Sequence, residues 1–118
     1  MVTDGAKSML SANGTLLIYT PHFHADHTRA RIVGSAVSKI AHTIKMDIEV
    51  ARRKKILSVY VYYRTETGDE KIPVYCDWGK DWSEEDVYHA IKSVMFTLSF
   101  HPKHSSLRVI RKDLCTFS

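Results

Sequence analysis

The chain has 118 residues, of which 44% are hydrophobic, and its formal net charge is +4 with histidine neutral. This length and composition are typical of one globular domain with a real core, which excludes a scaffold that depends on disulfides. No apolar stretch reaches membrane-spanning length, so we expect no membrane partner.

The N-terminal residues and the two cysteines bear on domain organisation and compartment. Residues 1–13 are small and polar without periodicity, which predicts a flexible arm followed by a single α+β domain over 14–118. Cys76 and Cys115 have no metal-binding spacing, and residues 1–13 lack the basic region and apolar core of a signal peptide, so we expect none. We therefore expect reduced thiols in a cytoplasmic or nuclear protein.

The first half of the domain predicts a strand and a long helix. The run from Thr15 to Thr20 is apolar and β-branched, which is typical of a buried strand. Apolar residues then recur every three or four positions, which predicts one helix from about Arg29 to Arg53. These residues are Val33, Val37, Ile40, Ile44, Ile48 and Ala51. A strand over residues 47–51 is the alternative, since Ile48 and Val50 also alternate with polar residues.

The second half predicts a hairpin, a helix and a last strand. Residues 59–63 and 71–77 flank a Thr-Gly-Asp turn, and Pro73 predicts an unpaired side or a bulge in the second strand. Ser83 and the acids after it predict a helix start, and Leu107 to Arg111 predicts a strand. The order β-α-β-β-α-β indicates a ferredoxin-like fold, with a four-stranded antiparallel sheet and two helices on one face.

Alternation in the hairpin predicts an aromatic and basic face. Val59, Val61 and Tyr63 should meet the helices, which leaves tyrosines and cations on the open side. RNA-binding sheets stack single-stranded bases on such faces, so we expect a small nucleic-acid-binding protein that is not an enzyme. The expected contact residues are Tyr60, Tyr62, Arg64, Tyr75, Arg108, Arg111 and Lys112, with Arg52 and Arg53 as a phosphate-binding patch. The same tyrosine face is also suited to a homodimer interface.

Two groups of histidines support a metal-dependent alternative. The first contains His22, His24, Asp26 and His27, and the second contains His101 and His104. Imidazole and carboxylate ligands suit zinc or manganese, although the chain is also interpretable without any cofactor. A single long helix would bring both groups to one end of the sheet, whereas an extra strand would separate them.

The first histidine group resembles metal motifs of two enzyme classes. His22-x-His24-x-Asp26-His27 after an apolar strand is similar to the motif of metallo-β-lactamase-fold hydrolases, where these positions bind two metals. His22 and His24 around a phenylalanine are also similar to the metal motif of single-strand nucleases and relaxases. The alternatives to nucleic-acid binding are therefore a metal-dependent hydrolase or nuclease and a homodimeric structural or regulatory protein, of viral origin in one interpretation.

Overall fold

A four-stranded mixed sheet and two main helices form the part of the chain that the computed structural model describes. That part comprises residues 14–21, 28–65, 70–77, 82–102, 104, 107 and 111–114. Its elements are β1 Thr15–Pro21, α1 Thr28–Ile44, β2 Asp47–Arg53, β3 Tyr60–Arg64, β4 Lys71–Cys76, α2 Glu84–Leu98 and the short α3 Arg111–Leu114. The predicted arm over residues 1–13 lies outside the described residues.

The strand order is β2-β1-β3-β4. β1 pairs parallel with β2 and antiparallel with β3, and β3 and β4 form the predicted antiparallel hairpin. The α+β class is therefore confirmed, but the sheet is mixed rather than antiparallel, and its order is not the predicted ferredoxin-like one. The parallel pair arises because α1 crosses over between two neighbouring strands.

The long predicted helix is wrong beyond Ile44, and the alternative strand is present instead. Lys45 adopts a left-handed conformation, with φ of 57°. The amide of Met46 then donates to the carbonyl oxygen of Ala41 at 3.0 Å, which closes the helix in a Schellman-type turn. The chain reverses there, and Asp47–Arg53 enters the sheet beside β1.

The predicted last strand is replaced by other structure wherever it is described. Leu107 is buried in a single turn, and Arg111 begins helix α3. Residues 108–110 lie outside the described residues. Residues 47–53 supply a strand that the predicted order did not contain, so the sheet has four strands without the predicted last one.

The core lies between the helices and one face of the sheet. Leu16 and Ile18 of β1 and Val61 and Tyr63 of β3 pack there against buried residues of α1 and α2. The predicted inward face of the hairpin's first strand is thereby confirmed. We call the opposite face of the sheet the open face, and the alternate residues of each strand belong to it. One of them is Leu17, which lies between neighbours on β2 and β3 and is only 4% exposed.

An ion pair joins the start of α1 to the end of β4. Arg29 donates from Nε to Oδ2 of Asp77 at 3.0 Å and from Nη2 to Oδ1 at 2.7 Å, and from Nη1 to the carbonyl oxygen of Trp82 at 2.7 Å. Asp77 is 3% exposed, and Ser83 caps α2 nearby as predicted, in a capping box with Asp86. Within the described ranges, no helix is both long and apolar enough to cross a bilayer.

Candidate nucleic-acid interface

Three tyrosines lie together on the open face, at the end of the sheet where β1 finishes. Tyr19 and Tyr60 are Cα partners on adjacent antiparallel strands, and Tyr62 follows two residues further along β3. The Tyr19 and Tyr62 rings meet edge to face, with centroids 5.4 Å apart at 64°. All three side chains are partly exposed, so their ring surfaces are available to a ligand as well as to each other.

These rings line a groove of about 620 Å³ whose remaining lining residues are basic or apolar. We call it the tyrosine groove. Its lining residues are Tyr19, Arg53, Lys54, Lys55, Ile56, Tyr60 and Tyr62. No carboxylate lines the groove among the described residues, whereas Arg53, Lys54 and Lys55 contribute positive charges to it.

Two cations are in direct contact with Tyr19. The guanidinium carbon of Arg53 lies 4.8 Å from the ring centroid, within cation–π range. Lys71 donates from Nζ to the phenolic oxygen at 3.0 Å. This hydrogen bond lowers the pKa of Tyr19, because a nearby ammonium favours the phenolate, and Arg53 adds to the same effect.

Tyr60 has a different electrostatic environment. Its Cα partner on β4 is Cys76, and repulsion between the phenolate and the thiolate form of Cys76 raises the pKa of Tyr60, with desolvation adding to it. The pKa of Tyr60 is thus shifted in the opposite direction to that of Tyr19.

The prediction that Tyr75 shares this face is wrong. The register between β3 and β4 shifts at Val61 and Tyr62, so Tyr75 stands opposite Val61 and Cys76 opposite Tyr60. Tyr75 instead donates to Oδ1 of Asp77 at 2.7 Å on the helix side, and burial raises its pKa. The predicted irregularity at Pro73 is confirmed, and the bulge there exchanges the faces of the residues that follow.

Arg64 is on the open face as predicted, but it is engaged at the opposite end of the strand. Its Nη2 lies 2.6 Å from Oε2 of Glu49 on β2, across Thr15 and Leu17 of β1. This pair balances the charge of the guanidinium. Arg64 does not line the tyrosine groove.

The other predicted basic residues do not form one surface. Arg53 lines the groove, whereas its neighbour Arg52 belongs to the alternate, helix-side set of β2. Arg111 donates to Ser99 and stacks 3.8 Å from the Phe100 ring centroid, on the helical layer. Arg108 and the side chain of Lys112 lie outside the described residues, and Arg111 belongs to helix α3 rather than to a last strand.

The structure describes the second histidine group but not the first. His22, His24, Asp26 and His27 lie outside the described residues, but Pro21 before them ends β1. The His104 ring packs against Tyr63 with centroids 6.0 Å apart, and Tyr63 pairs with Leu16 near the other end of that strand. Pro21 and Leu16 are about 17 Å apart along an extended strand.

Residues 47–53 form the additional strand that was the alternative, so the single long helix on which the predicted meeting of the histidine groups depended is not present. The position of the first group lies outside the described residues, so the meeting itself stays untested. His101 and His104 have ring centroids 5.3 Å apart, and His104 is 6% exposed. Among the described residues, no three His, Cys, Asp or Glu side chains are grouped closely enough to hold a metal ion.

Tyr19 and Lys71 are members of the site that the sequence did not indicate. Tyr19 lies in a strand whose residues are buried on both faces. Polar and apolar residues therefore do not alternate along it, and the sequence did not show which face Tyr19 occupies. Lys71 begins β4 and reaches Tyr19 across β3, a contact that depends on the sheet order. No protein-family model, curated protein or solved structure matches this chain.

Proposed function

We propose that this protein binds single-stranded nucleic acid through the tyrosine groove. The supporting observation is that Tyr19, Tyr60 and Tyr62 are clustered and partly exposed beside Arg53, Lys54 and Lys55, with no lining carboxylate among the described residues. Aromatic rings stack on any base, and each such contact contributes about 1–3 kcal/mol. Flanking cations supply the phosphate contacts.

The geometry favours a single strand over a duplex. The rings belong to a sheet surface, and bases reach such a surface only when their faces are unpaired and unstacked. Arg53 covers one part of the Tyr19 ring in the unbound protein. An entering base would take that position and release the guanidinium toward the adjacent phosphate, so the same two side chains would serve stacking and charge in turn.

The experiment is a fluorescence anisotropy titration with labelled single-stranded RNA and DNA and with a duplex, at low salt and then at rising salt. We expect single-strand binding that weakens linearly on a log–log plot, because bound cations displace counterions from the strand. Tyr62→Ala should weaken binding by about tenfold, the equivalent of one lost stacking contact.

Tyr88→Ala is the matched control, since Tyr88 is a partly exposed tyrosine on α2 with the Lys92 ammonium 5.2 Å from its ring. It should bind as the unmodified protein does. Absence of any anisotropy change at low salt would refute the proposal. A dimer that Tyr62→Ala dissociates, with nucleic-acid binding unchanged, would assign the groove to protein contact instead.

A further inference from the structure

The two outer strands of the sheet differ in how they limit further pairing. β4 contains the exposed Pro73, which has no amide to donate, and its register shifts beside β3. Such features protect an edge from another strand. β2, at the opposite edge, pairs with β1 over all seven of its residues without a shift and contains no proline. Among the described residues, no strand lies beyond β2.

The charges of β2 are arranged so that the strand is complementary to itself when reversed. Asp47 and Glu49 occupy its first half, and Arg52 and Arg53 occupy its end. If two copies pair antiparallel about Val50, Asp47 of each copy stands opposite Arg53 of the other. Opposite charges in such cross-strand positions stabilise pairing, whereas like charges oppose it.

The centre of this strand is apolar and uncovered. Val50 pairs with the core residue Ile18, so it lies on the helix side of the sheet, yet it is 62% exposed. In the register centred on Val50, the two copies of this side chain meet at the symmetry axis. A register centred on Glu49 would oppose two carboxylates, and one centred on Ala51 would pair fewer residues of the strand.

We propose that the β2 edge binds a second copy of this chain, forming a two-fold dimer with one continuous eight-stranded sheet. A two-fold axis requires identical strands to pair antiparallel, which is the arrangement that the charges favour. A contact made mainly by one strand pair is small, so we expect a dimer that dissociates on dilution. This inference goes beyond nucleic-acid binding and does not depend on it.

The test is sedimentation velocity over a range of protein concentrations. The unmodified protein should shift from monomer to dimer as concentration rises. Val50→Lys should weaken the dimer by about tenfold or more, because it places two ammonium groups at the axis. Leu57→Lys is the matched control, an equally apolar, exposed residue beyond the strand, and should dimerise normally. Both sites are exposed, so both variants should fold, which circular dichroism checks.

A charge exchange tests the register itself. Asp47→Arg alone opposes two cations and should give a monomer, whereas Asp47→Arg combined with Arg53→Asp restores opposite charges and should restore the dimer. A protein that stays monomeric at the highest attainable concentration would overturn the proposal. So would a dimer that Val50→Lys leaves intact, including one that only Tyr62→Ala dissociates.

Discussion

Arg29 and Asp77 form a two-point ion pair between residues 48 positions apart in the sequence, at the junction of α1, β4 and the entry to α2. The carboxylate is almost completely buried, and its Oδ1 also accepts a hydrogen bond of 2.7 Å from the Tyr75 hydroxyl. The ion pair raises the pKa of the Arg29 guanidinium, chiefly through its hydrogen bonds to Asp77. The contact fixes the first turn of α1 against the hairpin.

Removal of this carboxylate should therefore destabilise the fold. Asp77→Ala leaves the Arg29 guanidinium partly buried without its partner, and we expect a loss of about 3 kcal/mol in the free energy of unfolding. Urea denaturation measures it. Glu84→Gln, which removes the exposed ion pair with Lys39, is the control and should change little. Equal midpoints for Asp77→Ala and the unmodified protein would contradict this account of the junction.

Substitution by alanine should change stability in opposite directions at the two described glycines, Gly14 and Gly34. Gly14 has φ of +106°, and a Cβ there would lie 2.6 Å from Cε1 of Tyr63 and 2.7 Å from the carbonyl oxygen of Arg64. Gly14→Ala should cost about 1–3 kcal/mol. Gly34 lies within α1 with open space around it, so Gly34→Ala should stabilise the protein by about 0.5–1 kcal/mol. Thermal unfolding compares the stability of the two variants. A Gly14→Ala variant more stable than the unmodified protein would rule out the clash of its Cβ as a cause.

Adjacent arginines on β2 should differ in their effect on nucleic-acid binding. Arg53 contacts the Tyr19 ring in the tyrosine groove, whereas Arg52 belongs to the helix-side set of the same strand. Arg53→Gln and Arg52→Gln remove the same charge, so long-range attraction falls equally in both. We expect the salt dependence of binding to become less steep, by about one unit of slope, only for Arg53→Gln. Equal slopes in the two variants would show that contact geometry is irrelevant.

Tyr19 should ionise at lower pH than an ordinary tyrosine. Because Lys71 favours the phenolate, the pKa of Tyr19 is lowered in the folded state, and the absorbance titration should begin with this residue. A lowered pKa means that the folded state releases this proton more readily than the unfolded state. The resulting stability is present above the unfolded pKa and is lost as pH falls through the folded one. Lys71→Met should move the first phase of the titration to higher pH, and an unchanged titration would remove Lys71 as the cause.

The end of α1 at Ile44 gives the metal hypothesis a specific test. The single long helix that would bring both histidine groups together is absent, so we expect a metal bound by His22, His24, Asp26 and His27 to take no ligand from His101 or His104. Any zinc or manganese in the purified protein should then be lost in His24→Ala and retained in His101→Ala. Elemental analysis measures both. Loss of metal in both variants would show instead that the two groups share one site.

Short sequence patterns predicted the structural elements correctly where each pattern is compatible with only one local structure. The capping box at Ser83, the hairpin and the irregularity at Pro73 each follow from a side chain or a missing amide acting on its own backbone. The end of α1 had no such signal, because a lysine rather than a glycine occupies the left-handed position at residue 45. Ile44 and Ile48 also keep helical spacing across the break, so the apolar pattern fitted a helix and a strand equally well.

The site was predictable only in part for the same reason. Tyr60 and Tyr62 alternate with core residues of β3, which placed them on the open face correctly. Tyr75 was misplaced because a one-residue bulge exchanges the faces of the strand beyond it, and sequence alone does not locate that shift. Tyr19 and Lys71 meet across an intervening strand, which no local pattern encodes.

The interior position of β1 has a consequence for synthesis of the chain on the ribosome. Of the described strands β1 emerges first, yet its two neighbours are β2 and β3, and β3 ends at Arg64. During translation the parallel unit β1-α1-β2 is therefore available before the other side of β1 can be closed. The nascent chain exposes that unpaired side until β3 arrives, and this interval is when a chaperone or a neighbouring nascent chain would compete for it.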